Sequence, residues 1–209
     1  VVSDAYMAYA IQDVFAIWAE LPYSFYEPIE VKQGGKKVVQ YVYGKKFFNT
    51  MESKLHIFDA TGLRNYRLVF ESSHQGGIDW GEPQYKNLYN MLYGDNIDTS
   101  VTGYVKVFEY VKGARITGKA QPNQTIDLSV GIITNYNRAF NYTQTTESDA
   151  GGNFIFIVPY STTGPLPGET QFAVGAAGAY TIRTGKASKQ VEVSERSVLD
   201  GGEVRVDLI

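Results

Sequence analysis

The 209-residue chain contains no cysteine and only two histidines. Disulfide staples and thiolate metal sites are therefore excluded, and the compartment cannot be read from redox chemistry. His56 and His74 each lack a second histidine or a motif-spaced carboxylate nearby, so both read as structural or surface residues and no metal is assigned to them. No Gly-x-Ser-x-Gly elbow, phosphate-binding glycine loop or HExxH sequence occurs, which leaves no nucleophile and base to name for an independent hydrolase. No apolar run approaches the roughly 20 residues needed to cross a bilayer, so the chain is expected to be soluble. A net charge of −3, from 19 Lys and Arg against 22 Asp and Glu, argues against nucleic acid or an anionic membrane as the main partner. The chain opens at Val1 without a start Met or a basic leader, and it is expected to be a piece of a longer protein.

What is present is a globular composition, 44% hydrophobic and 20% charged, with 16 Tyr and 11 Phe. That length suits one large domain or two small ones. The best helix signal runs from Ser3 to Ala19, where Ser3 and Asp4 can cap and Met7, Ile11, Val14, Phe15 and Trp18 fall on one stripe. The spacing of Asp4, Met7 and Ile11 aligns a carboxylate, a thioether and a branched aliphatic over the first two turns, a pattern suited to a small apolar pocket with a polar rim. An ordinary amphipathic helix with Met7 and Ile11 in the core has the same periodicity.

Beyond Pro22 and Pro28, Gly34-Gly35 marks an exposed turn, and helical spacing of Tyr41, Phe48, Met51 and Leu55 predicts a second helix from about Val38 to Lys54. LHIF and NYRLVFES read as strands separated by a turn at Asp59 to Gly62, and Ser73 to Thr102 reads as a connector with a short helix at Pro83 to Tyr93. From Tyr104 short β-rich runs alternate with turns. Strands are expected at about 104–111, 114–120, 125–134, 140–147, 153–159, 171–175, 179–184, 189–194 and 203–208. The expected class is α+β: an N-terminal helical or mixed segment, 1–100, followed by an antiparallel β-sandwich or barrel-like domain, 101–209. Asp149-Ala150-Gly151-Gly152 reads as turn chemistry rather than a carboxylate site. Asn123-Gln124-Thr125 and Asn141-Tyr142-Thr143 are sequons, which makes Asn123 and Asn141 candidate N-glycan acceptors.

The Asp4, Met7, Ile11 spacing resembles the DxxMxxxI signature of archaeal and bacterial oligosaccharyltransferases. Tyr43 to Ser72, YGKKFFNTMESKLHIFDATGLRNYRLVFES, resembles the segment following that signature in the archaeal catalytic subunit of the AglB type, and YVKVFEYVKGARITG from Tyr104 and FIFIVPYSTTG from Phe154 resemble its peripheral β domain. The resemblance covers nearly the whole chain. It implies a part of a membrane-anchored glycosyltransferase, on the extracytoplasmic face, tethered by an N-terminal transmembrane domain that is not in this sequence. Its implied partners are an acceptor polypeptide with Asn-x-Ser/Thr and a lipid-linked oligosaccharide, with no nucleic acid. Asp4, Met7 and Ile11 would contribute to acceptor binding, Ile11 by holding the Thr of the sequon. The family's membrane carboxylates and Trp-Trp-Asp motif are absent, since Trp18 and Trp80 are the only tryptophans. The chain alone is accordingly expected to be inactive and to hold no cofactor, although a divalent metal, Mn or Mg, is implied for the full enzyme. The competing class is a cell-surface structural or carbohydrate-binding β-sandwich module, which accounts for SDAGGNFIFIVPY but not for the Met7/Ile11 helix.

Overall fold

The computed structural model describes residues 2–4, 26–43, 45–73 and 105–209. The chain divides into two compact units, one of residues 3–58 with 74–104, the other of residues 1–2, 59–73 and 105–209. Val2–Asp4 is an extended strand, β1. Ser3 and Asp4, where a helix was expected to begin, are thus strand, and the rest of the segment expected as helix to Ala19 lies outside the described residues.

In the first unit, β2 (Tyr26–Gln33) and β3 (Lys36–Tyr43) form an antiparallel hairpin. Its turn is Gly34-Gly35, with φ of 58° and 80°, the left-handed pair that matches the twist of the flanking strands. This corrects the helix expected from Val38. Val38, Val39, Tyr41, Val42 and Tyr43 are β-branched and aromatic residues that follow a hairpin turn, and they continue the ladder it starts. Among the described residues of this unit, helix is confined to Lys45–Phe48 and Met51–His56, the second capped by Thr50, whose Oγ1 accepts from the Ser53 amide at 3.2 Å. The cap also overturns the strand expected at LHIF: Leu55 and His56 close the helix, and the Ile57 amide continues its bonding to the Ser53 carbonyl at 2.9 Å. Phe47, Phe48, Leu55, His56 and Ile57 are buried.

The second unit is built almost entirely from strands. β4 (Tyr66–Glu71) pairs antiparallel with β5 (Val105–Tyr110). β7 (Thr125–Ile133) is the centre of a five-stranded sheet, with β8 (Ala139–Glu147) along one edge and β10 (Gly175–Ala176) and β11 (Tyr180–Thr184) sharing the other. β12 (Ala187–Val191) lies beyond β11. A third sheet joins β6 (Ala114–Lys119), β9 (Asn153–Val158) and β13 (Glu203–Arg205). The β6 to β13 pairing is parallel, a departure from the all-antiparallel expectation, and among the described residues no sheet closes into a barrel.

Strict alternation makes these sheets one-sided. Ile126, Leu128, Val130 and Ile132 of β7 are buried, as are Ile116 of β6 and Phe154, Phe156 and Val158 of β9. Three expected strands are shorter than predicted or shifted. The 171–175 run forms only Gly175–Ala176, and Phe172 instead lies against Arg67, its ring centroid 4.7 Å from the guanidinium carbon. The 189–194 run gives way to a helix, Glu195–Asp200, because Ser194 caps it through the Ser197 amide. Past Arg205, Val206 and Leu208 still donate to the carbonyls of Thr117 and Lys119 at 2.8 and 2.7 Å, which seals the tail along β6.

Gly118 makes that seal possible, since a Cβ there would sit 1.7 Å from the Val206 carbonyl oxygen. Gly118→Ala should lower stability by about 1–3 kcal/mol or more, whereas Gly178→Ala, into open space at an unstrained backbone, should stay within about 0.5 kcal/mol. Urea unfolding midpoints of the two variants check this, and equal midpoints would contradict the close approach.

Candidate functional site

Chemistry in the β-rich unit concentrates on the two faces of the β4–β5 ribbon. Leu68 faces Phe108, but the register slips by one residue between Leu68 and Phe70, and Glu71 then faces Lys106. This bulge turns Glu71 onto the same buried face as Lys106 and Phe108. The backbone groups it disturbs are taken up elsewhere: the Leu68 amide donates to the Tyr160 hydroxyl at 2.8 Å and the Val69 carbonyl accepts from the Ala173 amide at 3.2 Å.

On the Glu71 face four charges meet. Lys106 Nζ donates to Asp59 Oδ1 at 2.6 Å, and Arg138 reaches both Asp59 oxygens at 2.7 Å and Glu71 Oε2 at 2.6 Å. Asn135, in the turn between β7 and β8, accepts from the Glu71 amide and donates to its carbonyl, at 3.0 and 2.8 Å. Two carboxylates and two cations balance, as buried ions must. Burial pushes the Asp59 carboxyl up, yet Lys106 and then Arg138 outweigh it and hold it below 3.8. Burial likewise drives the Lys106 ammonium below its ordinary value, against the pull of Asp59. Asp59 and Ala60 have φ of 54° and 61°, a left-handed backbone that costs about 1–2 kcal/mol per non-glycine residue and that the ion pairs offset.

The opposite face holds Arg67. Its guanidinium spans both oxygens of Glu195 at 2.7 Å and reaches Glu109 at 2.8 and 2.9 Å. Arg67 and Glu195 are buried while the Glu109 side chain is 42% exposed. Despite burial, which lowers it, Arg67 is held above its ordinary value by Glu195 and Glu109.

Of the residues singled out in the sequence, Asp4 ends strand β1, while Met7, Ile11 and His74 lie outside the described residues. His56 is buried at the end of its helix. Asp149 does form a turn: Oδ1 accepts from the backbone amides of Gly151 and Asn153 at 2.9 and 2.7 Å, and the Asn153 side-chain amide, followed by these backbone bonds, holds its carboxyl below the ordinary value. Asn123 is exposed at the turn between β6 and β7, and Asn141 is exposed on β8. Among the described residues no three His, Asp or Glu side chains converge as a metal ligand set. The two ion clusters were missed in the sequence. Their signal was there, because Lys106 is in phase with Phe108 on an alternating strand.

Acid should weaken the Asp59 cluster. The folded state takes up the Asp59 proton at lower pH than the unfolded chain does, so its contribution is complete above about pH 3.8 and is lost as pH falls through the lower folded value. Melting temperature should therefore drop steeply below about pH 4, and Asp59→Asn should lose about 3–5 kcal/mol at pH 7 together with that part of the acid dependence. On the other face, Arg67→Leu should cost a similar amount by stranding Glu195, and adding Glu195→Leu should restore most of it. A double variant no more stable than Arg67→Leu would refute the pairing.

Comparison with known proteins gives concordant results. Residues 113–204 match the family described as the archaeal glycosylation protein B long peripheral domain. Dolichyl-phosphooligosaccharide-protein glycotransferase 3 of Archaeoglobus fulgidus is 30% identical over 204 residues, covering 78% of this chain and 22% of that protein. Two solved structures of the Archaeoglobus fulgidus oligosaccharyltransferase each align with 100% of this chain. One, AglB in complex with an inhibitory peptide and a dolichol-phosphate, has a TM-score of 0.81 at 26% identity, with 30% of that chain covered. The other, tethered to an acceptor peptide containing an NVT sequon, has a TM-score of 0.81 at 25% identity, with 31% covered. The chain thus spans less than a third of the relatives it matches.

Proposed function

We propose that this chain serves acceptor recognition in protein N-glycosylation, since residues 113–204 match the archaeal glycosylation protein B long peripheral domain and the chain is similar to part of AglB-type oligosaccharyltransferases. The observation that carries the reading is the fold similarity of the whole chain to the structure tethered to an NVT sequon peptide. In this reading the residues to about 100 belong to the mixed core domain that carries the acceptor site. Those from about 101 belong to the peripheral β module, to which residues 59–73 contribute β4. Asp4, Met7 and Ile11 form the rim and floor of a pocket for the sequon's hydroxy residue. The acceptor is an Asn-x-Ser/Thr polypeptide and the donor a lipid-linked oligosaccharide held by the membrane part of the enzyme, on the extracytoplasmic face.

The described residues do not fit a divalent metal, since no ligand set converges among them. The Mn or Mg that the family resemblance implies would be held elsewhere in the enzyme. The work left to this chain is binding and orientation: a peptide amide held in place reacts as if at high effective concentration. Isolated, the chain should transfer no sugar to an Asn-x-Thr peptide even with metal and lipid-linked donor supplied.

Ile11 provides the direct test. A branched aliphatic against the acceptor's hydroxy residue touches the methyl of Thr and finds none on Ser. One buried methyl is worth about 0.8 kcal/mol, roughly a fourfold preference. Ile11→Ala in the full-length enzyme should erase most of the Thr over Ser preference in initial rates on matched peptides, with little change in melting temperature. Met7→Ala should act in the same direction more weakly, because a flexible thioether supports such a pocket without defining it. If Ile11 is instead a core residue, the Ala variant loses about 2–5 kcal/mol of stability and both activities fall together. An unchanged ratio with a large drop in melting temperature sinks the assignment.

A further inference from the structure

The two sequons of the β-rich unit differ in structural setting. Asn123, Gln124 and Thr125 are all exposed, and Asn123 sits at φ 54° in the turn after Pro122. Asn tolerates that left-handed conformation, and the residue is exposed while its backbone is tethered: the backbone amides of Asn123 and Gln124 donate to Ser148 O and Oγ at 3.2 and 2.9 Å. Asn141 is also exposed, but it lies within β8, paired with Gly131 across the ladder, and Thr143 is paired with Ser129. Between them Tyr142 is buried, its hydroxyl donating to the Leu63 carbonyl at 3.0 Å and its ring 5.4 Å from that of Tyr160. Freeing Asn123 means opening a turn held by Ser148 and by the first rung of β7, where Thr125 is paired with Glu147 and its carbonyl accepts from the Thr184 hydroxyl at 2.9 Å. Freeing Asn141 means peeling a strand and extracting a core tyrosine, which is an opening of a different order.

We propose that Asn123 is an N-glycan acceptor in the folded protein and that Asn141, of identical motif, is not. The inference rests on the proposed extracytoplasmic location of the chain. In the modification, Asn123 Nδ2 forms a bond to the anomeric carbon of a lipid-linked oligosaccharide. The bond from that carbon to the lipid phosphate oxygen breaks, the lipid phosphate departs with the electron pair, and the amide gives up one proton. A glycan here would cover the turn between β6 and β7 without touching either buried ion cluster, because Asn123 is exposed in the turn just ahead of β7.

The test is glycopeptide mass spectrometry on the full-length protein purified from an archaeal host with intact N-glycosylation. A secreted sequon reporter is measured in the same cells and peptide transfer activity in the same preparation. The expected result is a glycan mass on the Asn123 peptide, absent in Asn123→Gln and Thr125→Ala, with occupancy at Asn141 at least about tenfold lower. Tyr142→Ala, which loosens β8, should raise occupancy at Asn141 and leave Asn123 unchanged. A bare Asn123 peptide beside a glycosylated reporter overturns the proposal, as does equal occupancy at both sites, which would mean modification before folding. Because transfer activity is read separately, an active enzyme with a bare Asn123 refutes this inference alone, and an inactive one with a glycan on Asn123 refutes only the acceptor-recognition reading.

Discussion

The one-residue slip between Leu68 and Phe70 is the constraint on which the β-rich unit depends. Without it, period-2 alternation would place Glu71 on the face opposite Leu68 and Phe108, and Lys106 would be buried opposite a hydrophobic residue. With it, Glu71 reaches Arg138, Arg138 reaches Asp59, and Asp59 reaches Lys106, so that a buried network of balanced charge forms from four segments distant in sequence. Buried ion pairs contribute little net stability against an apolar core. Their effect is on uniqueness: a further one-residue slip of β4 would bury Glu71 without a cation and expose Leu68, and each of those errors is costly. The register is therefore set by charge as well as by apolar pattern.

The same ribbon explains why residues 59–73 belong with the later strands across a long stretch of intervening sequence. Arg67 on one face and Glu71 on the other each pair with side chains from beyond residue 108. Tyr142 adds a bond from the centre of β8 to the Leu63 carbonyl, and Tyr160 one to the Leu68 amide. The hydroxyls of these buried tyrosines are spent on backbone groups that the bulge and turns leave outside regular ladders, and that is the reason aromatic residues with a polar tip occupy these positions rather than Phe.

Much of this was legible in the sequence. The strands β5 to β9 and β11 follow alternation and were placed to within about a residue, and the turns at Gly113, Asn123 and Gly152 were marked by residues that tolerate positive φ. The errors have physical causes. Val38 to Tyr43 satisfies both a helical and a strand period over a short window, and only the Gly34-Gly35 turn upstream decides between them. LHIF is a short apolar run whose state is set by the Thr50 cap five residues earlier. The Glu195–Asp200 helix hides in a segment too short for periodicity and is visible only through Ser194 and the left-handed Gly201 that bound it. The charge network was legible only in part: Lys106 in phase with Phe108 marks a buried cation, but its partner comes from a distant turn, and the bulge that brings Glu71 to that face leaves no compositional mark. Of the candidate site, the sequons and the Asp149 turn could be placed, while Met7 and Ile11 rest on a motif and not on packing.

The way polar groups are used in the β-rich unit also bears on the chemistry open to it. A general base needs a carboxylate or imidazole with a lone pair directed at substrate and a pKa near the working pH. Asp59 has one oxygen shared by Lys106 and Arg138 and the other taken by Arg138, and its pKa moves away from neutrality, not toward it. Glu195 has both oxygens on Arg67. Tyr160 and Tyr180 are pushed by burial far from any pH at which a phenolate forms. Groups committed in this way hold shape and do no proton transfer. What these groups do is fix the register of the β4–β5 ribbon from both faces.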